Sequence, residues 1–328
     1  MGASGTPAIV SRVAHDLDLG TLGVRVFFVI SGFLITTLLA DEWQRTHDIS
    51  LGRFYLRRTM RIFPPFYAYV AAVAVLELLR VLATNPGDYL YAVTYTMNFH
   101  GKNPGWFLGH SWSLSIEEQF YLLWPAVLVM AGKRRAVWVL VAVLVVVPVL
   151  RVGSVLGALP WIENRGQSFA TVADWLAAGA LLALWRSRLH GSARYAKLVA
   201  NPLTPWALVA VIFAGWTAFD HWRVVEATAT FAVVATALLL DAVVTHPEHG
   251  LARAMNTGTL MFIGRISYSL YLWQELFCNR NTTAWPARFP VNVVLSVACA
   301  TASFYLIEKP ALRLRDRMEL RTRGRAAR

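Results

Sequence analysis

HSWSLSIEEQFYLLWPAVLVMAGKRRAVWVLVAVLVVVPVL, residues 110–150, decides the fold. It holds two long apolar runs on either side of Lys133, Arg134 and Arg135, and neither run alternates as a barrel strand would. About twenty apolar residues cross a bilayer as a helix, because in hydrocarbon every backbone polar group must be paired within its own segment. The pattern recurs along a chain of 328 residues that is 56% hydrophobic and only 15% charged. Nine spans are expected, at residues 21–40, 65–83, 114–132, 136–153, 168–186, 205–219, 224–244, 259–279 and 291–309. The fold class is therefore all-α, a polytopic transmembrane helix bundle. The longest connections, 41–64 and 84–113, are too small to hold a soluble core of their own.

The net charge of +12 would suggest a nucleic-acid partner in a soluble protein, but here the placement of the charge matters more. Of the 31 Lys and Arg residues, 21 fall in alternate connections and the C-terminal tail, and six in the opposite set. The positive-inside rule then places the C-terminus in the cytoplasm and the N-terminus outside. The basic tail RLRDRMELRTRGRAAR, 313–328, reads as an anchor for anionic membrane lipids, with no nucleic-acid partner. Cys278 and Cys299 fall on consecutive helices at different depths, which supports no disulfide, zinc or redox pair. The eight histidines are scattered without ligand spacing, so no metal is implied.

An ionisable group at the bilayer centre costs on the order of 3 kcal/mol, so each one calls for a partner or a wet cavity. Arg25, Glu117, Glu118 and Asp174 lie near the outer ends of the first, third and fifth spans and suggest a polar pocket opening outward. Arg151 and Glu226 read instead as interfacial side chains reaching water. Glu117 and Glu118 point about 100° apart around a helix, so at least one faces into the bundle. Ser115 with Glu118 also fits a capping box at a helix start, which accounts for one carboxylate and not for the pair. His110, one or two turns earlier, is a base or charge partner in one reading and a solvated surface histidine in the other.

In GVRVFFVISGFLITTLL, 23–39, Ser31 and Gly32 allow close helix approach beside a polar stripe. In FYLRRTMRIFPP, 54–65, Arg57, Arg58 and Arg61 share one side of a short helix, with Pro64 and Pro65 starting the next span. Three guanidinium groups on one face suit phosphate oxygens, and they also suit ordinary anchoring in the inner leaflet.

These motifs, together with ISYSLYLWQ at 266–274, resemble in order and spacing the acyltransferase 3 family of integral membrane enzymes, which includes O-antigen and nodulation-factor O-acetyltransferases. The resemblance runs from about residue 20 to residue 310. It implies about ten spans and transfer of an acyl group, usually acetyl, from acyl-CoA to a hydroxyl of an extracytoplasmic or lipid-linked glycan in a bacterial inner membrane. It divides the chain into an N-terminal segment (1–20), a transmembrane acyltransferase domain (21–309) and a basic cytoplasmic tail (310–328). By motif, Glu117 and Glu118 fall in the family's W-S-L-x-x-E-E segment, Ser31 and Gly32 in its SGFL segment, and Arg57, Arg58 and Arg61 in its arginine motif near acyl-CoA. The charge layout then runs the acyl-CoA arm along Ser31 and Gly32 and makes Glu117, Glu118 or His110 the base. Arg25, Asp174 and Trp112 then line the acceptor pocket.

There are two departures. Family members carry an arginine followed eleven positions later by a histidine in their first span. Here Arg12 is followed at that distance by Gly23, and His15 is preceded by Ser4. The expectation is that Met1 is an internal start or that a first span lies upstream. Where many relatives read Y-L-W-H, this chain reads YLWQE, with Gln274 and Glu275. The alternatives to an active transferase are a transporter or flippase of a glycan or lipid precursor, for which buried charge pairs are equally natural, and a truncated inactive relative.

Overall fold

In a computed structural model, residues 18–101, 104–159, 162, 166–217, 229–279 and 281–326 are described. The N-terminal segment with Arg12 and His15, and Lys102, Arg165, Arg223, Glu226 and Arg280 lie outside them. The described chain is helical throughout its regular elements, as an integral membrane bundle requires. In chain order these are α1 (Leu19–Thr46), α2 (Leu51–Leu78), α3 (Asp88–Val93), α4 (Trp106–Gly109), α5 (Trp112–Val155), α6 (Phe169–His190), α7 (Ala193–Ala200), α8 (Thr204–Thr217), α9 (Ala229–Thr245), α10 (Gly250–Met255), α11 (Gly258–Phe277), α12 (Val291–Ser303) and α13 (Lys309–Ala326). A π-helical turn at Phe304–Glu308 joins the last two.

Five segments are long and apolar enough to cross a membrane among the described residues, six if the bent pair α7 and α8 counts as one. Two local departures from expectation have clear causes. α5 runs 44 residues, and a straight helix of that length would reach about 66 Å, twice the hydrocarbon thickness. Its backbone leaves helical geometry at Gly132 (φ 70, ψ 162), at the junction of the expected spans 114–132 and 136–153. Glycine takes a positive φ there without a Cβ penalty. Conversely, Pro64 and Pro65 do not separate a short helix from the next span. They lie inside the continuous helix α2, where each gives up one backbone hydrogen bond.

The chain divides into two compact units. Unit one comprises Ser50–Ser111 and the chain from Gly258 onward. In it α11 packs on α12, and α13 packs on α2. Tyr268 donates to the Ile62 carbonyl (2.8 Å), and Ser269 to Glu308 (3.1 Å). Unit two comprises Asp18–Ile49 and the described residues of Trp112–Thr257. In it α6 packs on both α1 and α5. α1 and α6 touch backbone to backbone, for a Cβ on Gly32 would lie 2.0 Å from the Leu176 carbonyl oxygen and one on Gly179 only 1.9 Å from that of Val29.

Candidate active site

Within unit two a polar seam follows α1 and the first half of α5, which run in the same direction. Arg25 meets Trp112, Ser31 meets Glu117 and Tyr121, and Thr36 meets Trp124. At the first level the Arg25 guanidinium lies 5.8 Å from the Trp112 ring centre and donates to the Gly166 carbonyl (2.6 Å). Phe28 packs edge-on against the same indole.

At the second level three buried side chains converge. The Ser31 hydroxyl donates to Glu117 Oε1 (2.6 Å) and lies 2.5 Å from the Tyr121 hydroxyl, which also donates to Glu117 Oε1. A carboxylate taken out of water needs such donors, and one turn of helix brings Tyr121 to the face of Glu117. Glu118, one residue on, is half-buried on another face. Because α5 starts at Trp112, Ser115 sits inside the first turns and not at the N-cap, so the expected capping box is not formed. At the third level the Trp124 indole N–H donates to the Thr36 hydroxyl (2.8 Å).

Asp174 pairs with Arg151 at 2.5 Å, both buried, and the Arg151 Nε donates to the Thr171 carbonyl. Arg151 is therefore not a snorkelling interfacial side chain. Its partner is 23 residues away on the next helix. At the opposite end of this unit Asp241, fully buried, accepts hydrogen bonds from Arg186 (2.7 Å) and Tyr195 (2.6 Å) and meets His190 (2.8 Å). A cleft of about 420 Å³ opens beside it, lined by Thr37, Asp41, Gln44, Lys133, Arg186 and His190.

A family model described as an acyltransferase domain, Acyl_transf_3, matches residues 2–309. The chain belongs to the acyltransferase 3 family. Its similar relatives include the peptidoglycan O-acetyltransferase OatA of Listeria monocytogenes, 26% identical over 92% of this chain and 54% of that protein. The O-acetyltransferase OatA of Staphylococcus aureus is 29% identical over 90% and 53%, and the putative peptidoglycan O-acetyltransferase YrhL of Bacillus subtilis is 26% identical over 92% and 53%. The chain spans about half the length of the curated relatives it matches. No solved structure matches it.

The family's W-S-L-x-x-E-E segment thus supplies Trp112 and Glu117 to the seam, and its SGFL segment supplies Ser31. Gly32, placed by the motif on the acyl-CoA path, has its open side filled by the Leu176 backbone, so no ligand fits against it. The remaining motif residues belong to unit one. His110 is half-buried between the Tyr69 and Tyr271 rings, at centroid distances of 5.5 and 5.2 Å, and is not a solvated surface histidine. The Tyr271 hydroxyl fixes its backbone by donating to its carbonyl (2.6 Å). Arg57, Arg58 and Arg61 lie on α2, and Arg57 reaches Glu319 of α13 at 3.8 Å.

Tyr121 and Asp241 were missed in the sequence. Tyr121 follows Glu117 by four residues inside an aromatic run, and that spacing was the available signal. Asp241 interrupts the apolar run ALLLDAVV, a buried charge whose partners sit on other helices.

Proposed function

We propose that this protein is a membrane O-acyltransferase that moves an acyl group, acetyl, from acyl-CoA to a hydroxyl of an extracytoplasmic or lipid-linked glycan. Peptidoglycan is the acceptor class to test first, since the Listeria relative is a peptidoglycan O-acetyltransferase. The observation that carries this reading is the buried Glu117 held by the hydroxyls of Ser31 and Tyr121.

In the proposed reaction the acceptor hydroxyl gives its proton to the Glu117 carboxylate as its oxygen attacks the thioester carbonyl. The C–O bond forms, the C–S bond breaks, and CoA leaves as a thiolate that takes up that proton. Ser31 and Tyr121, whose hydroxyl protons both go to Glu117 Oε1, hold the carboxylate in place. Arg25 and Trp112, at the outer end of the seam, face the acceptor. Glu118 lies on another face of α5, and Asp174, fully buried against Arg151, ties α6 to α5 instead.

Within unit two, Lys133 and Arg186 line a cleft that suits the phosphates of acyl-CoA; Arg57, Arg58 and Arg61, which belong to unit one, are a separate candidate for the same role. Thr37, at the edge of that cleft, is six residues from Ser31, about 9 Å along α1. A flexible thioester arm covers that distance. His110 is kept as the alternative base. The charge pattern puts the donor side in the cytoplasm of a bacterial cell and the N-terminal side outside.

The test is incubation of the protein in proteoliposomes with labelled acetyl-CoA and soluble peptidoglycan fragments. Alkali-labile label on the glycan is expected. Glycan flux across the vesicle without consumption of acetyl-CoA would establish a transporter instead, and neither activity would leave only a binding role.

A further inference from the structure

The turn between α9 and α10 reads His246, Pro247, Glu248, His249, and nothing in the transfer reaction uses it. Its backbone is held at both ends. The His246 N–H donates to the Ala242 carbonyl (3.1 Å), the His249 N–H to the His246 carbonyl (3.1 Å), and the Arg253 N–H to the His249 carbonyl (2.8 Å).

That backbone brings three donor side chains to one point. Glu248 Oε1 lies 2.8 Å from His246 Nδ1 and 3.9 Å from His249 Nε2. One ligand atom from each residue falls within 4.8 Å of the others. Two ligands at about 2.1 Å on a tetrahedral ion stand about 3.4 Å apart, a value the two observed separations bracket. The imidazole rings are parallel within 9°, with centroids 4.8 Å apart. Two imidazoles and a carboxylate brought together in this way form a coherent ligand set.

No lysine or arginine pairs with Glu248 among the described residues, so its charge is directed at the two histidines alone. Ordinary hydrogen bonding does not account for the His249 ring either, because its buried Nδ1 has no hydrogen-bond partner. Glu248 is 64% exposed while His246 and His249 are 25% and 11%, so the cluster opens to water on the carboxylate side.

We propose that His246, Glu248 and His249 form a binding site for a divalent transition-metal ion of the zinc class. Imidazole and carboxylate donors favour Zn²⁺, Co²⁺ or Ni²⁺ over Mg²⁺ or Ca²⁺, and three ligands within four residues make a compact chelate. Bound metal would fasten the end of α9, one turn beyond Asp241, to the start of α10.

The test uses Co²⁺ alone as the probe, added to chelator-washed protein in detergent and followed by its visible absorption. One saturable equivalent with a four- or five-coordinate spectrum is expected. Apparent affinity should fall at least tenfold in His246→Gln and in His249→Gln, less in Glu248→Gln, and not at all in His47→Gln. All variants are checked as monodisperse by size exclusion. Absence of saturable binding in the wild type, or binding unchanged in His246→Gln and His249→Gln, would overturn the site.

Discussion

At the scale of single residues, the glycines and the seam hydroxyls divide the work of α1. Gly32 and Gly179 let two helix backbones meet, and that contact fixes where Ser31 sits relative to Glu117. Adding one methyl group should be costly here and cheap elsewhere. Gly179→Ala should lose about 1–3 kcal/mol or more, since its Cβ would collide with the Val29 backbone, which cannot swing aside like a side chain. Gly264→Ala on α11, with nothing within 4 Å of its Cβ, should be neutral or slightly stabilising. Thermal unfolding in detergent compares them, and equal behaviour would remove the close contact from the account. Gly32 was legible as a small residue permitting close approach. That its open side is filled by α6 was not, because the filler lies 144 residues further on.

At the scale of elements, pairs between helices explain what single-sequence reading gets wrong. Arg151 reads as interfacial from its position at a span end, yet α6 places Asp174 beside it and buries both. Removing one partner leaves a buried charge, so Arg151→Ala should cost about 3–5 kcal/mol. The double variant Arg151→Met with Asp174→Leu should cost clearly less than the sum of the single changes, and strict additivity in a double-mutant cycle would show that the pair does not couple. α2 teaches the opposite lesson. Two adjacent prolines read as the start of a new element after a short arginine-bearing helix, but one helix runs through them. The helical character of the described apolar segments was readable from run length alone, because hydrocarbon leaves the backbone no other choice.

At the scale of the whole molecule, the charge asymmetry of the connections predicts an orientation that intact cells can test. In a background with Cys278→Ser and Cys299→Ser, a membrane-impermeant maleimide should label Pro86→Cys from outside. It should reach Asp48→Cys only after permeabilisation. The reverse pattern would invert the sidedness of donor and acceptor. The family and the seam then give the account its central claim, that a buried carboxylate on α5 serves acyl transfer. The most direct measurement is the yield of ester-linked acetyl on glycan, by mass spectrometry, for wild type and Glu117→Gln at matched membrane levels. A loss of about 10²-fold or more, with unchanged insertion and chromatographic behaviour, is expected of a general base. Wild-type product from Glu117→Gln would contradict it.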